Sequence, residues 1–277
     1  MTHHFVRSLC FGFMLCVFCP SAVLAAFSFP QLSQENLDTI ERDFAATTAM
    51  HNALPPSSMG SIFGFEVGVV GGLTQSPGIN QQVQRISPST NAGTIPHAGL
   101  VAAVTVPGGI TVEGLYLPKL TAAEFSYQQY ALALKWTMTD SLFLLPVNLA
   151  TRGFYAKSML EFSQTLTDPT STLQVPVTGT NHTSVTGLQL FLSPKLIPVI
   201  EPYVGIGLLS ASGTLATSGA TAATLFSFSS NTSAGSASSS TQLFAGIDVR
   251  LLLVGLGLEW SRAFGTDSYT AKFSFKF

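Results

Sequence analysis

Three histidines beyond the N-terminal segment have the clearest capacity for acid–base chemistry, and they are His51, His97 and His182. His182 with Asp168 or Asp267, or with Ser184, has the residue types of a hydrolase, in which an imidazole acts as general base for a hydroxyl or a water. Polar segments produce such combinations by chance. The sequence contains no glycine-rich phosphate loop, no spaced metal-ligand cluster and no nucleophile elbow. We therefore predict no catalytic, cofactor-binding or metal-binding residues, and a hydrolase that depends on His182 is the alternative.

Ten charged residues occur at alternate positions of segments whose other positions are apolar. They are Glu66, Glu113, Lys135, Lys157, Glu161, Asp248, Arg250, Glu259, Lys272 and Lys276. Successive side chains of a strand point to opposite faces, so these five acids and five bases share the polar faces of a sheet. In a closed barrel they would line the interior, where they would pair with one another or form a narrow polar path for ions and small solutes. Arg152 and Arg262 have the opposite parity and are expected at strand ends.

The last eleven residues show the two-residue period most clearly. Their apolar face carries Tyr269, Ala271, Phe273, Phe275 and Phe277, and the opposite face carries two lysines and two hydroxyls. A soluble sheet could show this alternation. A length of about ten residues with aromatic residues at both ends of the apolar row is typical of a membrane-spanning strand.

The composition supports strands that cross a membrane. Of the 277 residues 46% are apolar and only 9% are charged. After the N-terminus no apolar run reaches the roughly 18 to 20 residues that a spanning helix needs. A barrel wall needs only every second residue to face lipid, which reconciles the two observations. Nothing in the charge balance indicates a nucleic-acid partner.

The first 26 residues are predicted to be a secretory signal peptide. Arg7 gives a weakly basic start, residues 9–18 are an apolar core, and residues 21–26 offer small side chains for cleavage after Ala25 or Ala26. All three cysteines lie in this segment. The exported chain would therefore contain neither a disulfide nor a thiol nucleophile.

Residues 27–61 differ from everything that follows. Ser33 is a candidate N-cap, Leu37, Ile40 and Phe44 recur at helical spacing, and Pro55 ends the pattern. We predict a short amphipathic helix. It could lie beneath the barrel in the periplasm or fold into the lumen, and the sequence leaves both placements open.

Ten strands are predicted from Ile62 onward. They cover residues 62–73, 100–106, 110–116, 129–138, 149–166, 188–192, 204–208, 242–251, 254–262 and 267–277. In the fifth strand Phe154 and Ala156 are assigned to the lipid face, and Lys157 and Glu161 to the interior. The nine connections are expected to alternate between longer and short ones, as they do when one rim faces the exterior and the other the periplasm. The longer ones include the polar runs 167–182 and 214–240.

Three segments carry a resemblance to a known class of proteins. Residues 63–68, residues 201–207 and the run from Gln242 to Phe277 resemble uncharacterised single-chain outer-membrane β-barrel proteins of Gram-negative bacteria. The resemblance implies that the terminal strand is the signal read by the barrel-insertion machinery, with Tyr269, Phe273, Phe275 and Phe277 as its aromatic positions. Such families imply no activity.

The sequence thus predicts an all-β protein, a membrane-spanning antiparallel up-and-down barrel of about ten strands with a short N-terminal helix. Residues 62–277 form the barrel, which resides in the bacterial outer membrane after export. Its expected role is that of a narrow pore or of a structural, surface-exposed envelope protein with a charge-paired lumen. An outer-membrane hydrolase acting at the extracellular rim is the alternative. The expected partners are outer-membrane lipid, the insertion machinery and, if the lumen conducts, small solutes or ions.

Overall fold

The computed structural model describes residues 34–60, 63–86, 93–122, 125–141, 145–167, 174–195, 199–218 and 233–277. The strands are β1 Gly64–Gln75, β2 Thr94–Val106, β3 Ile110–Ala122, β4 Phe125–Thr137, β5 Val147–Thr167, β6 Gln174–Pro194, β7 Ile200–Ser218, β8 Ser233–Leu251, β9 Val254–Ala263 and β10 Thr266–Lys276. The helices are α1 Gln34–Thr48, α2 Pro77–Ile86 and α3 Met138–Ser141. Among the described residues, no helix is both long and apolar enough to cross a membrane.

The ten strands form one closed antiparallel barrel. Each strand pairs with its neighbours in the chain, and β1 pairs with β10 from Glu66 opposite Lys276 to Thr74 opposite Ser268. Closure satisfies the backbone groups that would otherwise be exposed at two sheet edges in lipid. The predicted ten-stranded up-and-down barrel with a short N-terminal helix is confirmed.

The wall has apolar residues outside and polar residues inside. Leu132, Leu208 and Leu258 are 63%, 65% and 60% exposed on the outer face, whereas Glu113, Lys135 and Lys272 are at most 3% exposed on the inner face. Alternate residues of one strand therefore meet opposite environments. This inversion of a soluble protein's pattern is that of a barrel embedded in lipid.

The connections differ from the predicted alternation. Only residues 123–124 separate β3 from β4, where a longer link was expected. Strand β9 likewise turns tightly into β10 at Phe264 and Gly265, both of which have positive φ. Most of the run 167–182 is strand, because β5 and β6 pair without interruption from Val147 opposite Pro194 to Thr167 opposite Gln174. Polar β-rich sequence can extend a hairpin into water, where it needs no apolar face. The interpretation of this run as a loop was wrong.

Four neighbouring strands consequently extend beyond the rest of the wall. Strands β5 and β6 have 21 residues each and β7 and β8 have 19 each, against 10 to 13 in the other six. The extension lies at the end opposite to the start of β1 and the end of β10. Outer-membrane barrels keep short turns on the periplasmic side, so the extended end faces the exterior.

The predicted orientation of the fifth strand was wrong. Arg152, Phe154 and Ala156 face the lumen and are nearly inaccessible, whereas Tyr155 is 42% exposed on the outer face. Lys157 lies opposite the exposed Tyr130 of β4, so it faces outward as well. The lumen contains an apolar layer. Apolar residues at alternate positions of this strand can therefore face the lumen as well as the lipid.

Candidate functional site: the occupied lumen

The lumen contains the segment that precedes the barrel. Helix α1 contacts β1, β5, β6, β7, β8 and β10, and all but two of the residues 41–56 are buried. The first turn of α1 lies beside α2 at the exterior end, and Ser57 lies beside Glu201 near the start of β7 at the opposite end. We call residues 41–57 the plug. The plug passes through the barrel lengthwise, which decides between the two placements that the sequence left open.

The exterior half of the plug packs in an apolar layer. Small and flexible side chains of α1 and the residues after it, namely Ala45, Ala46, Ala49 and Met50, join inward residues of the wall in one buried cluster. The wall contributes Val70, Val101, Leu115, Phe154, Val185 and Leu209 among others. Alanine lets a helix approach the wall closely, and Gly213 assists because a Cβ there would collide with the Glu41 carboxylate. A ten-stranded barrel can therefore hold a helix.

Hydrogen bonds fix the plug to the wall on several sides. Thr48 Oγ1 lies 2.6 Å from Ser158 Oγ, and Gln129 Nε2 donates to the Thr48 carbonyl at 2.9 Å. Thr137 Oγ1 donates to the Pro56 carbonyl at 2.7 Å, and Thr183 Oγ1 donates to Glu41 Oε1 at 2.5 Å. Two of these bonds satisfy plug carbonyls, those of Thr48 and Pro56, and the other two engage plug side chains.

One group of buried charges joins the plug to the wall. Glu113 Oε2 accepts from Asn52 Nδ2 at 2.6 Å and lies 3.3 Å from Arg152 NH1, and Glu113 Oε1 is 3.6 Å from Lys135 Nζ. Arg152 donates to Asn52 Oδ1 at 2.8 Å and to Gln189 Oε1 at 2.5 Å. Lys135 donates to the carbonyls of Pro55 and Ser57. We call Glu113, Lys135, Arg152 and Asn52 the plug cluster.

A second group lies within the wall, next to the β1–β10 seam. Lys272 Nζ is 2.7 Å from Glu66 Oε1 and 3.1 Å from Asp248 Oδ1, and Lys276 contacts the same two carboxylates. We call Glu66, Asp248, Lys272 and Lys276 the seam cluster. Gly257 lies between Lys272 and Asp248 in the register and leaves the space in which their side chains meet. Two acids and two bases on three strands balance each other in charge.

The other predicted lumen charges have different positions. Glu259 is buried and accepts a 2.8 Å hydrogen bond from the Tyr203 hydroxyl. Arg250 occupies an inward-facing position of β8, but it lies next to the end of this strand and is only half-buried. Lys157 and Glu161 lie on the outer face, and Glu161 pairs there with Lys119. Their assignment to the lumen network was wrong for the same reason as the orientation of β5.

Sequence reasoning missed Arg152, Asn52 and Glu201. The guanidinium of Arg152 lies 5.0 Å from the centroid of the Phe191 ring, so it is enclosed on its apolar side as well as paired. Glu201 accepts from Ser57, Asn148 and Ser193. If Tyr155 had been assigned to the aromatic band at the membrane boundary, the alternation along β5 would have placed Arg152 in the lumen. No sequence signal marked Asn52.

The helix α2 covers the exterior end of the plug. The backbone amide of Ile79 donates to Asp43 Oδ2 at 2.8 Å, and Gln82 Nε2 donates to Asn36 Oδ1 at 3.0 Å. Burial raises the pKa of Asp43 to about 6, although the amides of Ile79 and Gly78 act in the opposite direction. Burial likewise raises the pKa of Glu41. The contact between α1 and α2 therefore contains a carboxyl group that titrates at mildly acidic pH.

Of the pairings that could serve a hydrolase, the structure keeps His182 and Ser184 on the same outer face of β6 and separates His182 from Asp267. His51 stacks on His97 at 4.6 Å between ring centroids, and both are buried between plug and wall. His182 lies on the outer parity of β6, four strands away from β10 and Asp267. The Asp267 carboxylate accepts from Trp260 and lies 3.8 Å from Arg262. Asp168 lies outside the described residues.

The terminal aromatic residues lie on the lipid face. Tyr269, Phe273, Phe275 and Phe277 are 53%, 44%, 45% and 54% exposed. Phe277 stacks on Phe65 at 4.7 Å, and the two residues exchange both backbone hydrogen bonds at 2.9 Å. Their use as an insertion signal stays a prediction.

A polar, occupied interior within an apolar outer face makes the chain an integral outer-membrane β-barrel. Among the described residues, no group of three or more histidine, cysteine or acidic side chains is placed to hold a metal ion. The seam cluster balances two acids with two bases of the wall, whereas the plug cluster pairs one wall acid with two wall bases and receives a neutral amide and carbonyl groups from the plug.

Comparison with solved structures gives likenesses of fold alone. The outer-membrane protease OmpT from Escherichia coli is 9% identical with a TM-score of 0.41, over 83% of this chain and 100% of that chain. The translocator domain of the autotransporter NalP from Neisseria meningitidis is 10% identical with a TM-score of 0.41, over 79% and 88%. The attachment invasion locus protein Ail of Yersinia pestis is 5% identical with a TM-score of 0.33, over 78% and 97%.

No curated protein matches the sequence. A family model does match, and it covers residues 20–277, which include the plug and every strand of the barrel. The chain therefore belongs to the family described as "Family of unknown function (DUF6588)".

Proposed function

We propose that this protein is a closed barrel, a structural and surface-exposed component of the outer membrane rather than a standing pore. The observation that carries the proposal is the plug, which occupies the lumen and supplies carbonyl and amide groups to buried charges of the wall. Lys135 illustrates this, because the residue is 1% exposed and its ammonium donates to two plug carbonyls.

The energetics support a closed state. Ten strands enclose little space once side chains are in place. An ion crossing this lumen would displace the plug and leave Glu113, Lys135 and Arg152 to be rehydrated together. Removing one partner from a buried ion pair typically costs about 3 to 5 kcal/mol. Ions and small solutes are accordingly partners only of a state in which the plug has moved.

Planar-bilayer recording tests this proposal. We expect the full chain to give a silent bilayer, and a variant that lacks residues 36–57 to give discrete conductance steps. Heat-modifiable migration in detergent gels must first show that the deletion variant forms a barrel. Steps of equal size from both proteins would overturn the proposal.

A point variant covers the case in which the deletion fails to fold. Asn52→Leu removes the amide that donates to Glu113 and accepts from Arg152. We expect the loss of both hydrogen bonds to loosen the plug and to produce intermittent openings. Asn80→Leu, on the exterior helix α2, is the matched control and should stay silent. A conducting full chain, or openings of equal frequency in the two variants, would contradict the closed state.

We also propose that the chain reaches the outer membrane by export with cleavage after Ala25 or Ala26. The insertion machinery would then recognise Tyr269, Phe273, Phe275 and Phe277, whose exposure on one face of β10 supports this role. Mass spectrometry of the mature N-terminus tests the cleavage. An intact N-terminus on membrane-inserted protein would contradict it.

We propose no hydrolytic role. His182 faces outward on β6 and lies four strands away from Asp267 on β10, which supports this view. Purified protein should show no peptide or lipid hydrolysis, and an activity lost on His182→Ala would restore the alternative.

A further inference from the structure

The outer face changes character along β4, β5 and β6. Toward the periplasmic end it is apolar, with Leu132 63% and Leu188 59% exposed. Next come the aromatic side chains of Tyr130 and Tyr155, which are 44% and 42% exposed. Aromatic residues of this kind mark the boundary between lipid tails and headgroups. The level of Tyr130 is therefore the headgroup level of the outer leaflet.

A lysine of β5 lies at this level. Lys157 is opposite Tyr130 on one side and Ser184 on the other, and it is half-buried. Among the described residues no acidic side chain forms an ion pair with its ammonium, and Glu161 on the same face pairs with Lys119. An ammonium at a membrane boundary keeps water or an anion as its partner.

Hydrogen-bonding groups surround this lysine on the same face. Ser184 Oγ lies 2.9 Å from Ser212 Oγ, and His182 is the next residue of β6 on this face toward the exterior, opposite Met159. The Nδ1 atom of His182 is buried and has no hydrogen-bond partner within the described part of the chain. An ammonium, an imidazole and hydroxyl groups together suit a phosphate, which accepts several hydrogen bonds at once.

The same face continues outward as an uncharged hydroxyl surface. On the overhang of β6 and β7 its outward positions include Thr178, Thr180, Thr214 and Ser212. These side chains both donate and accept hydrogen bonds without a charge to desolvate, which suits the hydroxyl groups of a sugar. A lipid with phosphate at the membrane boundary and sugars beyond it matches both parts of the face.

We propose that this face binds the phosphorylated headgroup of an outer-leaflet glycolipid. Lys157, Ser184 and His182 hold the phosphate, and the hydroxyl surface of β6 and β7 holds the attached sugars. The inference goes beyond the closed barrel and does not depend on it, because these residues lie outside the lumen.

Native mass spectrometry of the full barrel in detergent tests the proposal by titration with three lipids. These are a phosphorylated disaccharide glycolipid, its dephosphorylated form and phosphatidylglycerol. We expect the phosphorylated glycolipid to bind about tenfold more tightly than either of the others, as charge-assisted hydrogen bonds imply. Equal affinity for the dephosphorylated form would overturn the phosphate site, and equal affinity for phosphatidylglycerol would overturn the assignment to a glycolipid.

Variants locate the site. Lys157→Gln should weaken binding of the phosphorylated glycolipid about tenfold, whereas Lys119→Gln, which removes a lysine already paired with Glu161, should change it less than about twofold. Heat-modifiable migration confirms that both variants form the barrel. An unchanged affinity for Lys157→Gln, or an equal loss for Lys119→Gln, would overturn the proposal.

Discussion

The seam cluster and the plug cluster differ in what they connect. The seam cluster joins β1, β10 and β8 through side chains of the wall alone. The plug cluster joins β3, β4 and β5 to a segment that precedes the barrel in the chain. Both are buried and contain ion pairs, with two acids and two bases in the seam cluster and one acid and two bases in the plug cluster. Yet one closes the wall and the other closes the lumen.

This difference separates stability from closure. A change in the seam cluster should weaken the barrel and leave the plug in place. A change in the plug cluster should weaken the barrel and also release the plug. Measurements of unfolding and of conductance on the same variants therefore distinguish the two regions.

Arg152→Met should give the largest effect. It leaves Glu113 with the more distant Lys135 and removes the donors to Asn52 and Gln189. We expect the free energy of unfolding to fall by about 3 to 5 kcal/mol and conductance steps to appear. Urea titration in detergent measures the first and bilayer recording the second. Arg262→Met, at an exposed rim arginine, is the matched control and should change neither.

Lys272→Met should be the next largest. Lys276 still contacts both Glu66 and Asp248, so the loss should lie near the lower end of that range, about 3 kcal/mol. Because no plug residue takes part in the seam cluster, we expect a silent bilayer. Conductance in this variant would show that the two clusters act as one unit.

Asn52→Ala should have a smaller effect on stability. It removes one hydrogen bond to Glu113 and one from Arg152, while the two charged groups keep each other. We expect a loss of about 1 to 3 kcal/mol in the same urea titration. The exchange of plug amides should rise more than that of the strands. Equal acceleration in plug and strands would contradict a plug that opens separately.

Asp43→Asn should have the smallest effect at neutral pH, and its sign depends on pH. The pKa of Asp43 is raised to about 6 in the folded state, so the folded protein binds this proton more tightly than the unfolded chain does. The α1–α2 contact should therefore become more stable as the pH falls from above 6 toward 4. The uncharged amide of the variant would mimic the protonated carboxyl group. We expect α2 amides to exchange more slowly in the variant at pH 7 and equally in both proteins near pH 4.

Much of the fold could be predicted because lipid imposes one rule on every strand. The alternation in β9 and β10 predicted which residues face inward, and Lys272, Lys276 and Glu259 lie there. The rule failed on β5, because Phe154 meets an apolar plug where the sequence suggested lipid. It also missed the overhang of β5 to β8, since strands in water need no apolar face. The plug contacts could not be predicted, because they depend on which wall residues a helix meets inside.

The plug has a consequence for the order in which the protein folds. Its bonds to the wall join residues far apart in the chain, with separations of 100 between Asn52 and Arg152, 142 between Glu41 and Thr183 and 144 between Ser57 and Glu201. Contacts of such long range are slow to form, because the loop between them must close first. The plug can dock fully only after β7 is in place, so the final step of assembly is expected to combine closure of the ring with capture of the segment made before it.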